Sequence, residues 1–335
     1  MKRILLVGLG PLGQRILTDL IDRGTGIIAA VVDSAPSIAG TPLHRHIAAA
    51  DHRHTVLPSL DAVEDWDLID AAIVTTASDL PGCDSTFRDL LRRGKAVVST
   101  CEELVYPWLR HVALAEELDD LARKHGGRLL GTGVNPGFLM DALPATLTSV
   151  CKSVRGIECF RIQDASVRRI PFQKKIGVGL DDAQFAVRVK DGSLRHVGLG
   201  ESLHFLAHYA GLRIERWEED IEPVHAERDL VSGLGPVAKG RVSGVRQIAR
   251  GYCDERVAIH LEFKASIGEH APHDRIVIDG EPRIDMTIAG GVHGDIATSA
   301  IVLNAVPRVL AAAPGLHTMA TIPPPIHVVA GAERR

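Results

Sequence analysis

The stretch Gly8-Leu9-Gly10-Pro11-Leu12-Gly13 limits what this chain can fold into more than any other part of it. Three glycines at this spacing follow an apolar run at residues 4–7 and open an apolar-periodic segment, so they read as a strand, a tight turn and a helix. Each glycine has its own task in such a turn. Gly8 permits the turn, Gly10 leaves room for a pyrophosphate to approach the backbone, and Gly13 lets the helix lie close to the sheet. Pro11 suits the first helical turn, where its missing N–H would be unpaired anyway, and the Leu12 amide is free to face phosphate. Asp33, twenty residues after Gly13 at the end of a second apolar run, is placed to accept hydrogen bonds from an adenosine ribose. The expected ligand is therefore NAD(P). An acid here repels a 2′-phosphate and no Arg follows it in Ser34-Ala35-Pro36, which favours NAD, although Arg45 could fold back and reverse that preference.

The rest of the N-terminal half agrees with such a domain. Short apolar runs at residues 27–33, 71–76, 96–100 and 128–134 alternate with amphipathic stretches, the pattern of a doubly wound parallel sheet whose crossovers are helices. Leu12, Ile16, Leu17, Leu20 and Ile21 share one helical face, and residues 113–125 repeat the pattern before Gly126 stops it. Beyond Pro144 the runs become β-rich, at 154–167, 242–263, 275–279 and 283–289, with helical patterns at 199–210 and 295–312. The expected fold is thus α/β: a Rossmann domain over 1–145, then an α+β domain over 146–335 with an open mixed sheet and helices on one face. Helix 295–312 is a candidate to pack back on the first domain.

Length and charge set the outer limits. With 335 residues and 45% hydrophobic content, two cores are the natural expectation. The balance of 38 basic against 42 acidic residues provides no stripe for nucleic acid. No run approaches the ~18 apolar residues of a membrane span. Five cysteines, odd in number and without a CxxC pair, fit free thiols in a reducing compartment. A cytoplasmic protein acting on a small molecule is expected.

The chemistry is expected where the strands end. Thr75, Thr76 and Ser78 close the third run and suit contacts to a nicotinamide ribose, or else the cap of a following helix. After the fourth run, Ser99-Thr100-Cys101-Glu102-Glu103 brings two carboxylates to the same edge, with Cys101 beside them as a cofactor contact. A carboxylate can pair with an ammonium and take its proton, as oxidation of an amine requires. Spacing does not choose between Glu102 and Glu103; both are candidates for catalysis, and Glu102 is preferred as nearer the strand end. The other use for such acids is to cap or solvate the turn.

Three segments together carry a resemblance: Ser99-Thr100-Cys101-Glu102-Glu103-Leu104, Gly131-Thr132-Gly133-Val134-Asn135-Pro136-Gly137-Phe138-Leu139-Met140-Asp141, and His293-Gly294-Asp295. They resemble the 2,4-diaminopentanoate dehydrogenase family, which includes the native amine dehydrogenases, over nearly the whole chain. The resemblance implies an N-terminal domain of the dihydrodipicolinate reductase type, a second domain that roofs the substrate, reversible oxidative deamination with NAD(P), a homodimer, and a catalytic glutamate matching Glu102 or Glu103. The HHxxK and SGTA-like segments of dihydrodipicolinate reductases are absent, as is the TANK-like lysine of homoserine dehydrogenases.

From the same match, Asn135 is a candidate for both cofactor and substrate contact, and Phe138 and Met140 for an apolar wall. His293, before the last helix, is a candidate substrate contact, though a lone His is more often structural. Residues 172–179 read as a mobile loop around Lys174 and Lys175. His44, His46, His52 and His54 form two HxH pairs without a completing ligand set, so no metal is expected. The expected partners are an amine or ketone and ammonia. Two other functions fit the same scaffold, an alcohol or carbonyl oxidoreductase and a dinucleotide sensor without turnover.

Overall fold

A computed structural model of the chain describes residues 1–330. In chain order its first elements are β1 (Lys2–Val7), α1 (Pro11–Arg23), β2 (Gly26–Val32), β3 (Ala71–Val74), α2 (Leu80–Arg92), β4 (Ala96–Ser99), α3 (Val112–His125) and β5 (Arg128–Gly131). Next come α4 (Ala142–Leu147), β6 (Ser153–Asp164), α5 (Ile170–Lys175), α6 (Asp182–Lys190), α7 (Leu199–Tyr209), β7 (Arg216–His225), β8 (Leu230–Ser232) and β9 (Gly235–Val237). The chain continues through β10 (Val242–Cys253), β11 (Arg256–Ser266), β12 (His273–Glu281), β13 (Ile284–Ala289), α8 (Gly294–Ala311) and β14 (Gly315–His317).

The residues divide into two compact units, one of 1–138 with the chain from His293 on, the other Leu139–Val292. The boundary falls at 138 rather than 145, and helix 295–312, the candidate to pack back on the first domain, groups with unit 1. The reason lies in where the last elements find partners. Helix α8 packs on α1 and on β3, β4 and β5. The Arg23 guanidinium donates to Asn304 Oδ1 at 2.6 Å and to the Val328 carbonyl at 3.1 Å. Strand β14 satisfies its backbone on the free edge of β5.

In unit 1 six parallel strands run in the order β14-β5-β4-β3-β1-β2, a Rossmann sheet as expected. Strand β14 is the one the sequence did not suggest. Because the strands are parallel, all their carboxyl ends lie on one edge, and the order reverses beside β1, where such folds bind ligands. Helix α1 starts at Pro11, which fixes φ without sacrificing a bond, and stops at Gly24, whose φ of 58° lies in the left-handed region that favours glycine. Its buried face is Gly13, Ile16, Leu17 and Leu20, while Leu12 and Ile21 are only half-buried. Each fully buried Ile or Leu contributes about 1.5–3 kcal/mol. Helix α2 begins Leu80-Pro81-Gly82, with its proline in the first turn. It forms a helix because the Asp79 side chain caps it, accepting from Gly82 N at 2.7 Å, and because Leu80, Cys83, Phe87, Leu90 and Leu91 fill the core.

In unit 2 a mixed six-stranded sheet runs β13-β12-β6-β11-β10-β7, with β6 and β11 the parallel pair. Alternation is clear along β6 and β11. Ile157, Cys159, Arg161, Ile259, Leu261 and Phe263 are buried, whereas Glu158, Phe160, His260 and Glu262 on the other face are more exposed. The apolar run at 242–263 proves to be a hairpin, turned at Asp254 and Glu255 with φ of 49° and 60°. Residues 172–179, expected as a loop, begin inside the short helix α5, and the Gln173 side chain is buried against the carbonyls of Ala165, Ser166 and Arg168. Among the described residues no helix is long and apolar enough to cross a membrane.

Candidate active site

The carboxyl edge of the unit 1 sheet gathers most of the sequence-derived candidates, and the backbone ladder continues beyond the strands to hold them. Thr75 N donates to the Val7 carbonyl at 2.8 Å, Thr100 N to Val74 at 3.0 Å and Thr132 N to Ser99 at 2.9 Å. The first residue after each strand is thereby fixed to its neighbour.

The three glycines of the turn differ in their surroundings. Gly8 has φ of 97°, and a Cβ there would meet the Thr75 backbone at 3.0 Å. At Gly13 a Cβ would sit 2.1 Å from the Gly8 carbonyl oxygen, so helix and turn meet with no space for a side chain. At Gly10 nothing lies within 4 Å, which leaves that approach open to a ligand. The Thr75 hydroxyl donates to the Gly8 carbonyl at 2.7 Å and braces the turn from the next strand. Its role in this structure is support of the turn.

Asp33 has a structural duty as well. Its Oδ2 accepts from Leu9 N at 2.6 Å and its Oδ1 from Ala35 N at 2.8 Å. The carboxylate lines a cleft of about 280 Å³ with Gly8, Ser34, Ser59, Asp61, Thr76 and Asp89 among the other lining residues. Among the described residues no Lys or Arg lines it. Arg92 and Arg93 approach Asp89 and Asp61 at 3.4 and 3.9 Å but are not part of the wall. An open turn at Gly10, a cleft beside it and a fixed carboxylate suit an adenosine dinucleotide.

The two acids after β4 have very different surroundings. Glu103 Oε2 accepts from Leu80 N at 2.9 Å and lies 2.9 Å from His111 Nε2, with its side chain only 13% exposed. Glu102 is half-buried, and among the described residues its carboxylate has no hydrogen bond or ion pair. Cys101 is turned inward, 1% exposed, its thiol donating to the Ser78 carbonyl at 3.3 Å. Hydrogen bonding to Cys83, together with burial, pushes that thiol well above its usual range, so it stays protonated. The Cys101 side chain belongs to the core. Ser78 serves through its carbonyl, which also accepts from Glu103 N at 3.2 Å. The helix cap weighed for these hydroxyls falls to Asp79 instead.

The segment after β5 is tightly folded. Gly137, at φ 121°, would place a Cβ 2.3 Å from Gly133 N, so only glycine fits. The Val134 amide donates to Thr298 Oγ1 at 3.2 Å, which ties this segment to α8 within unit 1. Asn135 and Phe138 are half-buried, and Met140 is buried within unit 2. His293 is exposed and caps α8, its Nδ1 accepting from Ile296 N at 3.5 Å; Asp295 lies in the first turn. The His44 and His52 rings lie 4.2 Å apart at a tilt of 45°, and His46 bonds to Thr41. Sequence reading missed Asp79 and His111, whose roles depend on helices and loops brought together only by folding.

The fold and this edge define a dehydrogenase of the Rossmann type. Residues 138–335 match the family model for the 2,4-diaminopentanoate dehydrogenase C-terminal domain, more than half of the chain, and the chain belongs to that family. It is 28% identical over 331 residues to the 2,4-diaminopentanoate dehydrogenase of Acetoanaerobium sticklandii, covering 96% of this chain and 94% of that one. It is 23% identical over 296 residues to an amine dehydrogenase of Streptomyces virginiae, covering 80% and 82%. The solved structure of an amine dehydrogenase from Mycobacterium smegmatis shares its fold, with a TM-score of 0.84 at 22% identity over 98% and 97% of the two chains. The resemblance carried by residues 99–104, 131–141 and 293–295 is borne out.

Proposed function

We propose that this chain oxidises a primary amine at the carbon bearing nitrogen, giving a ketone and ammonia, and runs in reverse as a reductive amination. The observation that carries this reading is the contrast between neighbouring acids. Glu103 is engaged on both sides by groups of unit 1, while the Glu102 carboxylate, on the ligand-binding edge, has every lone pair available. A carboxylate pairs well with an ammonium and polarises a carbonyl poorly, which favours amines over alcohols. The names of the two curated relatives support the same choice.

When bound, NAD(P) supplies the hydride acceptor. Glu102 holds the substrate ammonium, takes its proton, and so frees the nitrogen lone pair that expels hydride from the adjacent carbon. Water then converts the iminium to ketone and ammonia. In reverse Glu102 returns the proton. Gly10 leaves the pyrophosphate its approach, and Asp33 accepts from the ribose hydroxyls.

The cleft favours NAD. A 2′-phosphate would meet a wall that contains Asp33, Asp61 and Asp89 and, among the described residues, no Lys or Arg. The test is a panel of amines and their matching alcohols with NAD+ and NADP+ in parallel. Reduction driven by amines, faster with NAD+, is expected. Turnover of alcohols alone would overturn the amine reading, and tight dinucleotide binding without turnover on any substrate would make the chain a sensor.

A further inference from the structure

A single oxygen of Glu103 joins three segments of unit 1. Its Oε2 takes the amide of Leu80, the first residue of α2, and the imidazole of His111, which immediately precedes α3. The Asp79 cap serves Gly82 N, so the Leu80 amide, one of the orphan donors at a helix start, depends on Glu103. The Glu103 amide is meanwhile tied to the Ser78 carbonyl. The turn that follows lies directly on β5, since a Cβ at Gly131 would come within 2.6 Å of the Leu104 backbone.

Glu102 occupies the first position of that same turn, with φ of −65° and ψ of −41°, and its carbonyl accepts from Val105 N at 3.2 Å. In a 3₁₀ turn of three residues per revolution, successive side chains diverge by about 120°. Drawing Glu103 inward therefore aims Glu102 away from the interior. Without that anchor the turn would regain backbone freedom, and a reacting group displaced by about 1 Å can lose 100-fold in rate.

We propose that Glu103 is a positioning residue: its carboxylate, shared between the Leu80 amide and the His111 imidazole, fixes the turn that presents Glu102, and exchanges no proton with substrate. The inference rests on Glu102 being the acid/base. Its effect belongs mainly in kcat, because the glycine turn and Asp33 lie on other loops.

The experiment compares E103A, E103Q, H111A and E102Q by kcat, KM, dinucleotide affinity from fluorescence quenching, and thermal melting. E103A is expected to lower kcat by roughly 10–100-fold with dinucleotide affinity within about threefold of the parent. E103Q keeps an oxygen for Leu80 N and is expected to restore kcat to within about threefold, with the pH profile of kcat unmoved. H111A removes one tether and is expected to cost roughly 3–10-fold in kcat, which keeps the proposal testable should E103A fail to fold. Parental kcat in both E103A and H111A would overturn the positioning role and leave Glu102 untouched. Inactivity of E103Q would also overturn it. An active E102Q would instead remove the reading on which the proposal stands.

Discussion

Asp33 Oδ2 accepts the Leu9 amide at 2.6 Å, so the carboxylate that lines the cleft also closes the glycine turn. In the proposed function, recognition of the ribose and local folding are therefore linked through one side chain. Asp33→Asn retains an acceptor but removes the charge and one of the two backbone bonds. We expect NAD+ affinity to fall about tenfold, NADP+ affinity to fall less, and stability to drop by about 1 kcal/mol. Titration of both dinucleotides, together with a urea melt, checks this; a variant that loses NAD+ affinity with unchanged stability would contradict the link between the carboxylate and the fold of the turn.

The glycines separate by what surrounds them. Gly13→Ala forces a Cβ to within 2.1 Å of the Gly8 carbonyl oxygen, so backbone must move, at a cost of about 1–3 kcal/mol. Gly10→Ala meets nothing within 4 Å, and should leave the melting temperature within a degree or two while weakening dinucleotide binding by roughly tenfold or more. Thermal melting with and without NAD+ measures both effects. Equal loss of stability in the two variants would contradict the assignment of separate roles.

Glu262 in unit 2 gives a prediction in pH. His260 and the bidentate Arg246, at 2.8 and 2.9 Å, hold its carboxyl down at about 2 from an ordinary 4.5. A depressed carboxyl stabilises the fold above its unfolded value, and that contribution is lost as pH falls from about 4.5 towards 2. The difference of about 2.5 pH units sets a ceiling of about 3 kcal/mol. The side chain is 12% exposed, so screening by water is limited. Urea midpoints at pH 7, 5 and 3.5 should show E262Q less stable than the parent at pH 7 and closer to it at pH 3.5. A constant gap across that range would contradict the shift.

What was legible in the sequence was what repeats locally. The glycine turn, five Rossmann strands and Asp33 each follow from spacing within a short window, and the structure contains all of them. Strand β14 was not legible, because three residues after a proline become a strand only through the free edge of β5 and the bond from Leu316 N to Asp119 Oδ1, at 2.7 Å. The hairpin between β10 and β11 was hidden because its turn uses Asp254 and Glu255 at positive φ, without the glycine that marks such turns. Neighbouring Glu102 and Glu103 could not be told apart, since the partners that engage Glu103 lie 23 residues before it and 8 after it. His293 was a candidate substrate contact with a structural role as the commoner alternative, and its side chain caps α8.

The central claim concerns the proton on the substrate nitrogen, and E102Q tests it most directly. Its steady-state kcat with an amine and NAD+ should fall by roughly 100–10,000-fold, the usual contribution of a positioned acid/base, while the dissociation constant for NAD+ stays within about threefold of the parent. A kcat within about tenfold of the parent would fall below that range and place the proton transfer elsewhere.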